Sequence, residues 1–264
     1  MKVVWRPVIA VVEISGTIGG AVRTSQYVPL LERLERSRRV RAVVLDIDSP
    51  GGSASASDYL HRAVSKIAQK KTVVAFVRSV GASGAYFISC AAHKTVALPT
   101  ALVGSIGVIH VMPVVEQLLQ KVGVSVALNK GGRFKDMGAP WRQPTPEEEQ
   151  KFQGLVDEYY DCFVRVVSQG RGLDEAKVRE LATGEVFTGR RAKELGLVDE
   201  TGDLDTALEM AAAMAGIRKR VVYVRPRRPF MQRLFGRMGE AMVAAMVEEV
   251  ESRLAGRVLF IYPS

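Results

Sequence analysis

The chain has 264 residues, of which 47% are hydrophobic and 25% are charged, a composition typical of a globular protein with a sizeable core. Its two cysteines exclude a disulfide-stapled scaffold, and the absence of an 18-residue apolar run excludes a membrane-spanning helix. The formal charge is +9, but ten basic and only four acidic residues fall between Arg218 and the end. The body is therefore nearly balanced, and the basicity belongs to an appendage.

Strand-like and helix-like segments alternate through the first half of the sequence, which predicts an α/β fold with parallel strands. Predicted strands are Val8–Ile18, Val40–Ile47, Lys71–Val77, Thr95–Leu98, Ser105–Val111 and Val124–Leu128, and predicted helices are Ser25–Arg38, Ser57–Gln69, Tyr86–Ala92 and Val114–Lys121. The second half is mainly helical: Pro146–Gln169, Asp174–Ala182, Gly189–Gly196 and Asp203–Ala215. After a late strand at Val221–Val224, we expect an amphipathic helix at Phe230–Leu254 and an edge strand at Val258–Tyr262.

A serine lies between small residues where a predicted strand meets a predicted helix. The stretch Ser79–Gly84 follows an apolar run, and Ser83 is flanked by Ala82 and Gly84. Such a junction leaves a hydroxyl unshielded and points the next backbone amide at the reacting group, as a nucleophile with half an oxyanion hole requires. The alternative is a tightly packed helix start, where small residues let two backbones approach.

A second glycine-rich turn, Asp48–Gly52, follows another predicted parallel strand. Ligands in open α/β sheets bind beyond the carboxyl ends of the strands, so the two turns are expected to converge. Gly51 or Gly52 would then offer an N–H to an oxyanion beside the amide of Gly84. A plain tight turn explains the same Ser-Pro-Gly-Gly sequence.

Several motifs together resemble the Ser–Lys signal peptide peptidase family of the SppA type. They are Asp48-Ser-Pro-Gly-Gly52, Ala82-Ser-Gly-Ala-Tyr86, Gly104-Ser-Ile-Gly-Val108, Lys135-Asp136, Phe187-Thr-Gly-Arg190 and Ala192-Lys-Glu-Leu-Gly-Leu-Val-Asp199. The resemblance runs from about Val8 to Ile217. It implies the Clp protease/crotonase superfold, an α/β arrangement of repeated ββα units with a helical C-terminal half, over residues 1–217. Residues 218–264 would form a basic appendage containing the amphipathic helix.

The resemblance implies that Ser83 is the nucleophile, Lys135 the general base and Ser105 the serine that aims the lysine. Gly84 and Gly52 would supply the oxyanion amides, and no metal or cofactor is implied. A lysine acts as a base only when it is neutral, so its pKa must fall far below about 10.4 through burial. Arg133 would lower that pKa and Asp136 would raise it, and most lysines in loops are simply exposed.

His110 is a rival base, because Clp-type proteases place their catalytic histidine after the equivalent strand. No acidic partner for it is identifiable in the sequence. Substrate contacts are expected from the apolar residues Val103, Ile106 and Phe134 near the motifs.

The resemblance implies cleavage of signal-peptide remnants and other unfolded apolar peptides inside a homo-oligomeric ring. The basic amphipathic tail fits peripheral membrane contact, and it fits equally a helix packed on the domain or on a neighbouring subunit, because its second half is acidic. The expected location is cytoplasmic or at a membrane surface. No nucleic-acid motif is present. Two alternatives stay open: a crotonase-like acyl-CoA enzyme, which would use the same two-amide oxyanion hole, and a catalytically silent scaffold on a membrane.

Overall fold

The computed structural model describes residues 6–226, and residues up to Arg225 cluster in one compact unit. The strands are β1 (Val8–Ser15), β2 (Val40–Ser49), β3 (Thr72–Ala82), β4 (Lys94–Ala97), β5 (Leu102–Gly104), β6 (Val186–Thr188), β7 (Glu200–Thr201) and β8 (Val221–Val224). The helices are α1 (Thr24–Arg36), α2 (Ala54–Ala68), α3 (Gly84–Ser89), α4 (Glu116–Lys121), α5 (Pro146–Arg171), α6 (Glu175–Leu181), α7 (Gly189–Glu194) and α8 (Leu204–Ala215). The predicted helix 230–254 and strand 258–262 lie outside the described residues.

The strands form one sheet in the order β6-β5-β3-β2-β1-β8, with β4 pairing with both β3 and β7. All pairs are parallel except β5 with β6. The α/β prediction is therefore confirmed. β8 pairs with β1, so the sheet continues past Ile217, where the peptidase-like domain was expected to end.

Helices cover both faces of the sheet, which explains why its central strands are continuous apolar runs. In β2, Val43 and Leu45 pack in the core formed with α1 and α2. Val44, which points to the opposite face, packs in a second core with α8. A third core gathers α3, α5, α6 and α7 beside β4 and β5. The central strands are thus held rigidly at the positions where they lead into the candidate site.

Strand β3 runs five residues further than the sequence indicated and ends at Ala82. Beyond Val77 it changes neighbours: Gly81 pairs with Ser49 of β2, and Val80–Ala82 pair with Leu102–Gly104 of β5. The apolar pattern stops at Val77 because Arg78 and Ser79 are exposed, whereas backbone pairing continues to Ala82. Ser83 is consequently attached directly to the end of a sheet strand.

The predicted strands Ser105–Val111 and Val124–Leu128 are wrong, since neither segment belongs to a strand in this chain. Gly104 and Ser105 have φ angles of 110° and 50°, which end the extended conformation and turn the chain away from β5. β-branched residues favour strands only where a neighbouring strand supplies hydrogen bonds. Residues 107–140, here named the lysine arm, carry only the short helix α4.

Helix α5 begins sharply after the lysine arm. Thr145 and Glu148 form a reciprocal capping box, and Pro146 occupies the first turn. The helix ends at Gly172, whose left-handed conformation (φ 64°) caps the last turn. Across residues 6–226, none of the helices combines the length and hydrophobicity that a membrane crossing requires.

Candidate active site

Ser83 lies at the turn between β3 and α3 in a conformation that serine rarely adopts. Its φ is 51° and its ψ −125°, and such a backbone costs about 1–3 kcal/mol unless its surroundings enforce it. Two bonds do so: Ser83 N donates to Gly104 O over 2.8 Å, and Ser83 O accepts from Phe87 N over 2.9 Å. The side chain is half-buried and donates no hydrogen bond to any residue of 6–226. The Ser83 hydroxyl is therefore available to a substrate, because no hydrogen bond within residues 6–226 occupies it.

Helix α3 anchors this turn because all six of its residues are buried. Tyr86 donates its hydroxyl proton to Leu197 O over 2.7 Å, which ties the helix to the chain after α7. A methyl group on Gly84 would lie 2.1 Å from Ser57 Oγ. Position 84 therefore favours glycine, because the Ser57 side chain of α2 occupies the space that a side chain would need.

The turn after β2 packs directly against the serine turn, as the sequence predicts. A methyl group on Gly51 would lie 2.7 Å from Gly84 N and 2.8 Å from Ser83 Cβ. Gly51 N itself donates to Ser49 Oγ over 3.1 Å. Gly52 N and Gly84 N donate to no acceptor within residues 6–226. Of the two glycines in this turn, Gly52 is therefore the one with a free amide beside Gly84.

Ser105 lies next to Ser83 because their two strands are paired up to the preceding residue. Ala82 of β3 is opposite Gly104 of β5, and both strands end there. Ser105 has a φ of 50°, and its N–H donates to Glu185 O over 2.7 Å. Ser83 and Ser105 are the two non-glycine residues with positive φ among those described. The sheet edge thus brings two strained serines together.

No hydrogen bond joins Lys135 to Ser83 among the described residues. It lies in an exposed turn of the lysine arm, where its N–H donates to Gly132 O over 3.2 Å. Its ammonium forms no hydrogen bond or ion pair with any residue in the described part of the chain. The neighbouring Asp136 is instead bound by Lys130 and Arg142, at 2.5 and 2.8 Å.

The three residues expected to contact substrate have different environments. Val103 and Ile106 are fully buried in the core around β5, so their side chains face other core residues and leave no surface for a peptide. Phe134 is half-buried, with the Arg133 guanidinium 5.0 Å and the Lys151 ammonium 4.5 Å from its ring centre. Only Phe134 of the three has a surface that a peptide can reach.

Other nucleophile and base candidates are engaged in packing. His110 is exposed and stacks on Phe152, with ring centres 4.3 Å apart. His61 meets Phe87 edge-on, and His93 accepts the Val73 N–H. Burial raises the pKa of the Cys90 thiol to about 12, which leaves it protonated at neutral pH. Within residues 6–226, no cluster of His, Cys, Asp or Glu is arranged to hold a metal ion.

Sequence reasoning missed three residues that shape the site. Ser57 fills the space beneath Gly84, Glu185 anchors Ser105 through its carbonyl, and Arg142 binds the carboxylate beside Lys135. Only Arg142 had a signal in the sequence, and the signal is indirect. The Thr-x-x-Glu pattern at Thr145–Glu148 predicts a capping box, which places the Glu148 carboxylate, the partner of Arg142, near the arm. The other two depend on long-range packing.

Comparison with known proteins places this geometry in a family. The model for peptidase family S49 matches residues 65–218, and the Clp protease model matches residues 10–110. A Synechocystis protein assigned as a protease is 33% identical over 99% of this chain and 98% of its own length. A Methanocaldococcus jannaschii protein assigned as a protease is 39% identical over 72% of this chain and 61% of its own.

Two further matches extend this comparison. The chloroplastic serine protease SPPA of Arabidopsis thaliana is 33% identical over 81% of this chain, which spans only 32% of that protein. A solved membrane-bound stomatin-specific protease, 1510-N in its S97A form, superposes with a TM-score of 0.51 at 16% identity, covering 84% of this chain and 99% of that one. At that identity the structure supports the fold alone.

Proposed function

Because this chain belongs to peptidase family S49, and is thus a member of a protease family, we propose that it is a serine endopeptidase with a Ser83–Lys135 dyad. The observation that carries this proposal is the strained Ser83 turn beside two free amides, those of Gly84 and Gly52. Strain is retained where the surroundings enforce it, and active sites are where it concentrates.

The proposed reaction has an acylation step and a deacylation step, and Lys135 transfers a proton in both. Neutral Lys135 takes the proton of the Ser83 hydroxyl, and Ser83 Oγ forms a bond to the peptide carbonyl carbon. The amides of Gly84 and Gly52 donate to the oxyanion. The carbon–nitrogen bond then breaks, and the Lys135 ammonium returns its proton to the leaving amine. Lys135 next takes a proton from a water molecule, whose oxygen attacks the acyl carbon. The ester bond to Ser83 Oγ then breaks, and the Lys135 ammonium returns its proton to Ser83 Oγ as the carboxylate product leaves.

To act as a base, Lys135 needs to be more deeply buried from water than it is in this single chain. A lysine becomes a base at neutral pH only when burial disfavours its ammonium form, and here its side chain is exposed. The arm that carries it also exposes apolar side chains: Ile109 is 86% and Val111 78% exposed, and Leu118, Val122, Val124, Val126 and Leu128 are exposed as well. We propose that self-association covers the arm and dehydrates Lys135, consistent with a homo-oligomeric assembly.

The proposed substrates are signal-peptide remnants and other unfolded apolar peptides. An Enterococcus faecium relative with a signal peptide peptidase designation is 36% identical over 69% of this chain, which spans 54% of that relative. An extended peptide can add to an exposed strand edge through its backbone. Exposed apolar residues on the arm and the accessible face of Phe134 offer side-chain contacts. Membrane contact through residues 230–254 belongs to the same proposal, although those residues lie outside the described range.

Hydrolysis of an apolar fluorogenic peptide tests the dyad directly. We expect Ser83→Ala and Lys135→Ala each to lower kcat by at least about 10³-fold, since nucleophile and base act as a unit. Lys121→Ala removes another exposed lysine from the same arm and is expected to retain activity. His110→Ala is also expected to retain activity.

The outcomes separate the competing hypotheses. Loss of turnover in His110→Ala with retention in Lys135→Ala would replace the base and leave the nucleophile in place. Parental activity in Ser83→Ala would end the proposal. A parent protein inactive on peptides but active on an acyl-CoA thioester would favour the crotonase-like reaction, which shares the two-amide site.

A further inference from the structure

A network of ion pairs with buried carboxylates lies next to the proposed base in sequence. Asp136 follows Lys135, and its side chain is only 6% exposed. One of its oxygens accepts from Lys130 Nζ at 2.5 Å, and the other accepts from Arg142 Nε at 2.8 Å. Arg142 Nη2 also donates to the Asp136 carbonyl oxygen over 3.2 Å. Both the side chain and the backbone of Asp136 are therefore held by the same guanidinium.

Arg142 continues this connection into helix α5. Its two Nη atoms donate to the two Glu148 carboxylate oxygens at 2.8 and 2.6 Å. Glu148 is 2% exposed, and its carboxylate also accepts the Thr145 N–H over 2.8 Å as part of the capping box. A guanidinium is the side chain suited to such paired, planar contacts with two carboxylates. The chain Asp136–Arg142–Glu148 thus links the lysine turn to the start of a 26-residue helix.

The charges around Lys135 have their own partners. They are Lys130, Arg133 and Asp136 on the arm, Arg142 after it, Glu116 on α4, and Glu147, Glu148 and Lys151 on α5. Arg133 pairs with Glu147, and Glu116 accepts the Gln143 N–H. Lys151 lies over the Phe134 ring. Asp136 is the carboxylate adjacent to Lys135 in sequence, and its binding by Arg142 and Lys130 keeps its charge from pairing with Lys135.

We propose that Arg142 is a positioning residue for the reaction, which holds the Lys135 turn on α5 and occupies the Asp136 carboxylate. This inference rests on the proposed role of Lys135 as general base. A carboxylate released beside Lys135 favours the ammonium form and makes the lysine a poorer base at neutral pH. A turn that is no longer anchored also misplaces the base, and a misplacement of about 1 Å can cost about 100-fold in rate.

The pKa values of the linked groups agree with this geometry. Hydrogen bonds from Arg142 and Lys130 hold the pKa of Asp136 well below its usual range. Hydrogen bonds from Arg142 and from the Thr145 backbone lower the pKa of Glu148 to about 2. Both carboxylates are therefore charged throughout the pH range in which a lysine base operates, and the positive charges of Arg142 and Lys130 balance their two negative charges.

Three variants distinguish the effect of the Asp136 charge from the effect of holding the Lys135 turn on α5. Arg142→Met keeps the aliphatic stem but leaves Asp136 and Glu148 without their guanidinium. We expect kcat to fall about 10- to 100-fold with KM nearly unchanged, and the acidic limb of the kcat–pH profile to move up by about one unit or more. Arg142→Lys retains the positive charge, so we expect a smaller loss and an unshifted limb. Asp136→Asn combined with Arg142→Met removes the released carboxylate that is adjacent to Lys135 and leaves that of Glu148, so the limb should return most of the way to its parental position.

Two controls distinguish a failure of the Arg142 proposal from a failure of the proposed Ser83–Lys135 dyad. Arg179→Met breaks a different arginine–carboxylate pair, with Asp161 at 2.8 Å, and is expected to leave kcat and the pH profile unchanged. Lys135→Ala, assayed in parallel, tests the proposed function itself. If Lys135→Ala retains turnover, the underlying dyad is wrong. If Lys135→Ala is inactive while Arg142→Met, melting like the parent, keeps the parental kcat and pH profile, the role of Arg142 is overturned. A limb that stays shifted in the double variant would likewise contradict it.

Discussion

The two halves of the proposed active site are built in opposite ways. Ser83 and Gly84 lie between a sheet strand and a fully buried helix, and their backbone is fixed by hydrogen bonds to Gly104 and Phe87. Lys135 lies on an arm that has left the sheet and exposes several apolar side chains to solvent. The arm is joined to α5 through the Asp136–Arg142–Glu148 ion pairs and through ring contacts such as His110 on Phe152. The groups around Ser83 are therefore held in place within one chain. Lys135 is held through its neighbour Asp136, but its own side chain is exposed to water.

This difference follows from what each group needs. A nucleophile and its oxyanion donors require accurate geometry, which core packing and backbone hydrogen bonds supply locally. A lysine base requires the removal of water, which an exposed arm obtains only from another surface. Our proposal therefore predicts that the separate chain is inactive and that activity appears where copies of the chain meet.

Adding one methyl group to the serine half should damage catalysis without any change in the arm. In Gly84→Ala the new methyl group meets the buried Ser57 Oγ at 2.1 Å and Ser57 Cβ at 3.2 Å, so either the Ser57 side chain or the Gly84 backbone must move, and we expect the amide to be displaced. Loss of one oxyanion donor typically costs about 10²–10³-fold in kcat, and we expect a loss in that range. The measurement is kcat with an apolar fluorogenic peptide.

A second substitution should recover part of this loss. Ser57→Ala removes the clashing oxygen and leaves Ser57 Cβ 3.2 Å from the added methyl group. We expect Gly84→Ala/Ser57→Ala to be more active than Gly84→Ala alone, and Ser57→Ala by itself to be near the parent. Parental activity in Gly84→Ala would show that the Gly84 amide has no part in the oxyanion site.

Charges added to the lysine arm should weaken self-association and leave the folding of the separate chain unchanged. Ile109→Lys/Val111→Lys places two ammonium groups where apolar side chains are 86% and 78% exposed. Because these positions are outside the core, the free energy of unfolding of the separate chain should change by no more than about 0.5 kcal/mol at each site. We expect a smaller assembly in sedimentation and at least about a tenfold loss of activity per chain.

The matched control is Met214→Lys, an exposed apolar position at the end of α8. It should leave both assembly and activity unchanged. Full activity of the arm variant as a single chain would mean that Lys135 obtains its dry environment within one chain, and the contrast between the two halves would disappear.

Ser105 lies where the two halves meet, and its substitution should have an intermediate effect. The proposed role is a hydrogen bond that aims Lys135, and a bond of this kind contributes roughly 1 kcal/mol. We therefore expect Ser105→Ala to lower kcat about three- to tenfold, far less than Ser83→Ala. Ser79→Ala, an exposed serine on the same strand as the nucleophile, is the control. An inactive Ser105→Ala that folds normally would instead make Ser105 indispensable to the chemistry.

The sequence predicts the serine half better than the lysine half, for a physical reason. Apolar runs and glycine-rich turns record local burial and backbone shape, so β2, β3 and the turns at Asp48–Gly52 and Ser79–Gly84 were foreseeable. The same β-branched signal at Ser105–Val111 led to a wrong strand, because strand formation depends on a partner that the sequence does not reveal. The exposure of Lys135 and the enclosure of Val103 and Ile106 depend on long-range packing. Sequence neighbourhood alone could not reveal them.

The ionic anchor of the lysine arm should also be more sensitive to acid than the serine half. The pKa of Glu148 is lowered from its ordinary value of 4.5 to about 2, chiefly by hydrogen bonds from Arg142. A carboxylate with a depressed pKa stabilises the folded state above pH 4.5, and the contribution is lost as the pH falls from about 4.5 to about 2. Glu148→Gln should therefore lower the free energy of unfolding at pH 7, and the two urea-unfolding curves should converge toward pH 2. Glu194→Gln, which breaks an exposed pair with Arg191 at 2.7 Å, should run nearly parallel to the parent. Equal acid sensitivity of Glu148→Gln and the parent would show that the anchor contributes nothing to stability, and that any role of Arg142 is confined to the charge of Asp136.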